Sequence, residues 1–162
     1  MDMEYDFSAM HAMGRTYAGG ARIVMDETRR GITRSVIQIE ADAKRTVPTD
    51  THTLQRSITH EVTASANDVT GRVGTNLQYA PVVEFGRSAG ATMPPPDALT
   101  GWLARHGMDA SAAFVVARSI GRRGIRARPY LMPALEKNRA DITREMTAVL
   151  QRISARLAAG HG

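Results

Sequence analysis

The chain of 162 residues contains no cysteine. That excludes disulfides, thiolate zinc sites and a cysteine nucleophile, and it suits a reducing compartment. Lysine is almost missing too: Lys44 and Lys137 are the only two among 21 cationic residues. Arginine suits fixed, bidentate ion pairs at protein interfaces or phosphates, although a codon bias would produce the same count. Aromatic residues make up only 5%, so aliphatic and methionine side chains must carry most of the packing. No apolar run is long enough to cross a bilayer. The acidic start, Met1 to Phe7, lacks the apolar stretch of a secretory signal. No membrane partner is therefore expected.

Catalytic patterns are also missing. The five histidines, His11, His52, His60, His106 and His161, show no metal-ligand spacing and no H-E-x-x-H. Gly19-Gly20-Ala21-Arg22 lacks the lysine and spacing of a phosphate loop. Ser57 and Ser119 have no nucleophile-elbow setting. Glu84 reads as a buried carboxylate near Tyr79 and Phe85, and a lone acid is more often a structural partner than a general acid. The expectation is no enzyme, no metal and no cofactor.

What is present is a hydrophobic share of 43% against 23% charged residues, enough for one domain with a real core. Residues 1–20 are small, polar and glycine-containing and read as a flexible arm, with room for a short helix over Ser8 to Met13; they should be dispensable for folding. Residues 21–162 read as one α+β domain. Met25, Ile32, Val36, Ile39 and Ala43 form one stripe of a long helix over 21–46, which Val47-Pro48 ends. Ile58, His60, Val62 and Ala64 alternate with polar residues. Val69, Gly71 and Val73 do the same beyond an Ala66-Asn67-Asp68 turn, which predicts an antiparallel hairpin.

Leu77, Tyr79, Val82, Val83 and Phe85 are core candidates without clear period. Residues 88–124 read as an insertion of loop and short helices. In it, Asp97 caps a helix with Leu99, Trp102 and Leu103 on its apolar side. Asp109 or Ser111 opens a second helix anchored by Phe114, Val115 and Ile120. Pro133 suits the first turn of a long final helix. Its stripe is Leu135, Ile142, Met146, Val149, Ile153 and Leu157. The first and last helices are expected on one side of a small antiparallel sheet.

The strongest charge feature is Arg118, Arg122, Arg123, Arg126 and Arg128, five cations within eleven residues. Such a cluster can bind phosphates or DNA. It shows no interleaved aromatics in the sequence, and a solvated loop or a contact with an acidic partner is the favoured reading.

Three stretches, taken in order, carry a resemblance. They are Pro48-Thr49-Asp50-Thr51-His52-Thr53-Leu54 with Ser57-Ile58; Gly74-Thr75 through Tyr79-Ala80 to Glu84-Phe85-Gly86; and Arg128-Pro129-Tyr130-Leu131-Met132-Pro133-Ala134-Leu135. The chain resembles the tail-component and neck protein family of long-tailed bacteriophages, including head–tail joining and tail-completion proteins. Residues 95–124 are similar to an insertion common in that family. His52 departs from the pattern, which has glycine there; if the glycine served a positive φ, the turn is rearranged or strained here.

The resemblance implies a virion structural protein made in the host bacterial cytoplasm. It would form a homo-oligomeric ring, a hexamer, at the head–tail joint. Its partners would be a head connector or stopper and a tail terminator or tail-tube protein, with DNA passing through. It also implies that Tyr79, Ala80, Glu84, Gly86, Pro129, Tyr130, Leu131 and Pro133 define the fold. The alternative function is a DNA-contacting module using the arginine cluster.

Overall fold

The computed structural model describes residues 8–65 and 68–159, with side chains from Gly19 onward. Helix α1 spans Ser8–Thr46, α2 Thr53–Ser57, strand β1 Thr59–Ala64 and β2 Val69–Gly74. Helix α3 spans Ala80–Phe85, α4 Thr100–Arg105, α5 Ala113–Arg123 and α6 Leu131–Ala159. Two short 3-10 turns, Pro96–Leu99 and Ala110–Ala112, lead into α4 and α5. The class is α+β, as the patterning predicts.

The first helix begins thirteen residues before the expected start at 21, so residues 8–20 are helical and not a loose arm. Ala9, Met10, Ala12 and Met13 favour helix. Single glycines cost only about 1 kcal/mol each against alanine, too little to end a helix that others propagate. Residues 1–7 of the expected arm lie outside the described residues.

Two different sides of α1 organise the molecule. On one, β1 and β2 pair antiparallel, with Val62 opposite Gly71 and His60 opposite Val73. A Cβ on Gly71 would sit 2.6 Å from Val36 Cγ1 and 2.7 Å from Ile32 Cγ2, so the glycine lets the strand lie directly on the helix. On the other side runs α6, antiparallel. Glu27 meets Arg152 and Arg156, Gly31 meets Val149 and Met146, Arg34 meets Glu145, and Asp42 meets Asn138. Gly31 and Ile32 are successive residues, about 100° apart around a helix of 3.6 residues per turn. The expectation that both long helices cover one face of the sheet is therefore corrected: α6 is packed on α1, and α1 carries the hairpin.

Val36, Ile39 and Ala43 are buried as expected, while Met25 and Ile32 are half-buried. The core gathers where α1 ends: Ile39, Ala43, Val47, Leu54, Ile58 and Tyr130 are buried together, with Ala80 and Ala134 filling between them. On α6, Val149 and Ile153 are buried and Ile142, Met146 and Leu157 half-buried, but Leu135 is exposed. Its place in the stripe is taken by Ala134 and Asn138.

Other large apolar residues also miss the core. Phe85 is 74% exposed, Phe114 55% and Val115 67%, and Tyr79 and Trp102 are partly open. Helix α5 instead buries Ala113 and Ala117, and its Gly121 lies against Met93 and Ala91, because small residues allow the close approach. Trp102 stacks on His106 with ring centroids 4.2 Å apart, and Leu103 is fully buried. Asp97 lies inside the first 3-10 turn, and its side chain caps nothing. Asp109 does cap, its carboxylate accepting from Ser111 N at 2.8 Å.

Candidate assembly site and the clamp that holds it

Glu84 is the centre of the resemblance's second stretch, and its carboxylate is buried. Its Oε2 accepts from the backbone N–H of Tyr130 at 2.8 Å and of Leu131 at 3.0 Å, and its Oε1 from Met132 at 2.9 Å. These are the orphan donors at the start of α6, and the next residue, Pro133, has no N–H to satisfy. The accounting of the first turn is complete. A negative charge at a helix N-terminus also gains from the helix dipole. Glu84 is thus a structural cap supplied by α3, 46 to 48 residues away in the chain.

The neighbours of Glu84 follow from that clamp. Gly86 has φ 74°, and a Cβ there would stand 2.6 Å from the Ile125 carbonyl and 2.8 Å from Ala127 N. Arg87 and Ile125 exchange both backbone hydrogen bonds, at 2.8 and 2.9 Å, and Arg128 N donates to the Val83 carbonyl at 2.8 Å. Gly124 is also at φ 74°, and a Cβ there would run into the Arg87 carbonyl. Residues 83–87 and 124–132 are one unit. Ala80 and Tyr130 lie inside it, Leu131 is half-buried, and Tyr79, Pro129 and Pro133 face outward. Burial and the Glu84 charge raise the Tyr130 phenol above its usual value.

The clamp carries the arginine cluster on its outer side. Arg118, Arg122, Arg123, Arg126 and Arg128 are all exposed, and none forms an ion pair with a described residue. Phe114, Arg118 and Arg122 recur every four residues on α5, so they share one face, with Val115 beside them. An aromatic therefore does stand among the arginines. The sequence hides it because four residues of chain separate neighbours on a helix face. Residues 87–128 hold seven arginines and two aspartates, which equals the formal charge of +5 of the whole chain. The remainder is electrically balanced.

Most of the described charges in that remainder are paired. Buried Glu27 receives Arg152 at 3.0 Å and Arg156 at 2.9 Å, and its carboxyl is held below the usual range by Arg156 first, then Arg152. Glu145 is lowered by Arg34 and Arg152. Asp42, also buried, accepts from Asn138 Nδ2 at 2.6 Å and Lys137 Nζ at 3.1 Å, and from Arg45. Glu40 joins Lys44 and His60, and its pKa is lowered, chiefly by Lys44. The sequence reading missed these pairs. Its one signal was the gap between Leu135 and Ile142, where Asn138 sits on the buried stripe.

His52 confirms the turn's demand for positive φ. It adopts φ 57°, ψ 6°, the one non-glycine there among the described residues, so the turn is kept and the strain accepted. Its ring lies 3.0 Å from Gln55 Oε1, and Gln55 Nε2 donates to the Lys44 carbonyl. Among the described residues no group of His, Asp and Glu could hold a metal ion, and no helix is long and apolar enough to cross a membrane. A groove of about 150 Å³ between α1 and α6, lined by Arg34, Gln38, Asp141 and Ile142 among others, falls below the ~300 Å³ where small-molecule sites begin.

Residues 15–86 match the family described as "Bacteriophage HK97-gp10, putative tail-component". The tail-component match takes in most of α1, the His52 turn, the hairpin and α3, and ends on Gly86 beside the capping glutamate. It supports a structural role in a phage tail, and with it a place in the virion. The arginine-bearing residues 87–128 lie beyond the matched stretch. No curated protein and no solved structure matches the chain.

Proposed function

We propose that the chain is a ring-forming subunit at the head–tail joint of a long-tailed phage, in a tail-completion or connector role and without catalytic activity. The observation that carries this reading is the division of charge. The body, α1 with α6 and the hairpin, pairs most of its described charges internally. The surface from Phe114 to Arg128 leaves its cations and apolar side chains unspent. An isolated monomer gains nothing from five neighbouring arginines that repel one another. A subunit set between partners does, because desolvated guanidinium–carboxylate pairs and buried aromatics make interface hot spots. A closed ring, here a hexamer, is the usual way for identical subunits to bury such a surface. Its outer neighbours would be a head connector or stopper and a tail terminator or tube protein.

The test is placement in density of intact virions: a sixfold ring between head and tail is the expected result, and its absence from that position refutes the reading. DNA contact is the second reading, favoured by the shared face of Phe114, Arg118 and Arg122. It predicts that duplex binding falls steeply as salt rises, because each phosphate contact releases counterions.

A further inference from the structure

We propose that the arginine face of α5 is the docking site for residues 1–7 of a second copy of this chain. The inference rests on the ring reading and names one of the contacts that close it. Three observations converge. The first is charge. Asp2, Glu4 and Asp6 alternate with Met1, Met3, Tyr5 and Phe7. Three carboxylates match the unpaired guanidinium groups of Arg118, Arg122 and Arg123, and the apolar side chains match Phe114 and Val115. Guanidinium and carboxylate form paired, charge-assisted hydrogen bonds.

The second observation is that the described residues hold no competing acidic surface. Asp26, Asp50, Glu136 and Asp141 already have arginine partners, and Glu84 is spent inside. The described acids outside ion pairs, Glu61, Asp68, Asp97 and Asp109, are scattered singly along the chain. Asp109 is occupied by Ser111 and Asp68 by Thr70.

The third is reach. Helix α1 has 39 residues, a length of roughly 58 Å at 1.5 Å per residue. The α5 segment is fastened at the far end of that helix. Arg105 holds Asp50 at 2.7 Å just past the end of α1, and residues 124–132 are clamped to α3 and the start of α6. Seven extended residues reach about 25 Å at most. Even with α5 folded back by its own length of roughly 16 Å, the segment falls short of its own α5. The contact has to be made between chains. A head-to-tail contact of this kind, one end of a subunit on the opposite end of the next, is heterologous, and it closes rings.

The absence of cysteine makes the test direct. The full-length double variant Glu4→Cys with Arg118→Cys, oxidised at high protein concentration, should give covalent dimers and a ladder of higher oligomers on a non-reducing gel. Each single variant should give no ladder. A double variant that stays monomeric, or cross-links only within one chain, overturns the proposal. In parallel, Asp2→Asn, Glu4→Gln and Asp6→Asn together should weaken self-association at least tenfold, read by light scattering. Arg122→Glu with Arg123→Glu should do the same. Exchanging both charge sets, with Asp2, Glu4 and Asp6 each changed to Arg, should restore it. If the neutralised chain still forms closed oligomers and joins neck particles, this contact is wrong and the ring reading stands. If the double-cysteine variant does not cross-link and the wild-type chain takes no place in the neck, both fall. Retained oligomers combined with lost duplex binding in Arg122→Glu and Arg123→Glu would assign the face to DNA instead.

Discussion

The seam between α1 and α6 and the segment from Arg87 to Arg128 use the same residue, arginine, in opposite ways. In the seam, Arg34, Arg152 and Arg156 each find a carboxylate on the facing helix, and two of those acids serve two cations or more. Beyond Arg87 the guanidinium groups of α5 and of the segment after it stand free of the described acids. The difference teaches that arginine content alone says nothing about function here. A cation that has a partner within its own chain is part of the fold. A run of cations without one marks where the fold is incomplete by itself.

The widest gap between the two regions should appear on charge insertion. Val36→Asp puts an unpaired carboxylate under the hairpin, at a site 5% exposed, and burying such a charge costs several kcal/mol, roughly the whole stability of a small domain. Val115→Asp sits on the open face of α5 and should change stability by about 0.5 kcal/mol or less. Circular-dichroism melts of the two variants check this, and similar melting temperatures would erase the distinction.

Glu84→Ala comes next. It leaves three N–H donors without an acceptor, one buried and two part-buried, and at about 1 to 3 kcal/mol for an unsatisfied buried group the loss should be about 2 to 3 kcal/mol. Urea unfolding measures it. A loss below 1 kcal/mol would mean that water replaces the carboxylate and that the clamp is not rigid.

Acid should separate the regions by a smaller margin. Glu27, Glu40 and Glu145 have folded-state pKa values below the ordinary glutamate value, roughly 4.3. Groups of that kind add stability that is fully present above the unfolded value and is lost as pH falls through the folded values. Unfolding free energy should hold level down to about pH 5 and then decline. Hydrogen exchange should show the seam opening as the Glu27 and Glu145 pairs are lost. A profile flat to pH 2 would show the pairs to be worth nothing.

The smallest effect is a gain. His52→Gly removes a side chain from the left-handed region and should stabilise by about 0.5 to 1 kcal/mol, partly offset by the extra freedom of glycine in the unfolded chain. A loss on substitution would show that the His52–Gln55 contact outweighs the strain.

What could be read from the sequence was local. The hairpin was legible because alternation and turn residues lie within one short window, and the buried side of α1 because Val36, Ile39 and Ala43 keep helical spacing. The glycine pattern at position 52 also pointed to the right conformation. What could not be read depended on distant partners. Large apolar residues suggested Phe114 and Val115 as anchors of α5, yet the helix packs through alanine and glycine against Met93, a closeness no local pattern encodes. Phe85 belongs to the same error. The burial and structural role of Glu84 were legible, but its partners were not because its donors lie in another segment, and the Asp42–Asn138 contact was hidden because a polar residue on a stripe looks like a break in it. The arginine cluster was found from the sequence, but the aromatic beside it emerged only when the helix set its face.

The Glu84 cap also sets a schedule for the nascent chain. Its last donor, the Met132 N–H, follows it by 48 residues. At roughly 5 to 20 residues per second, the ribosome delivers that donor about 2 to 10 seconds after the glutamate itself. During that interval α1, the hairpin and α3 have been made, but α6, the helix that α3 must cap and α1 must pack against, does not exist. Residues 15–86 are thus a template awaiting its second half, and the face of α1 that packs on α6 is bare until α6 is made. A host chaperone has its clearest opportunity in those seconds.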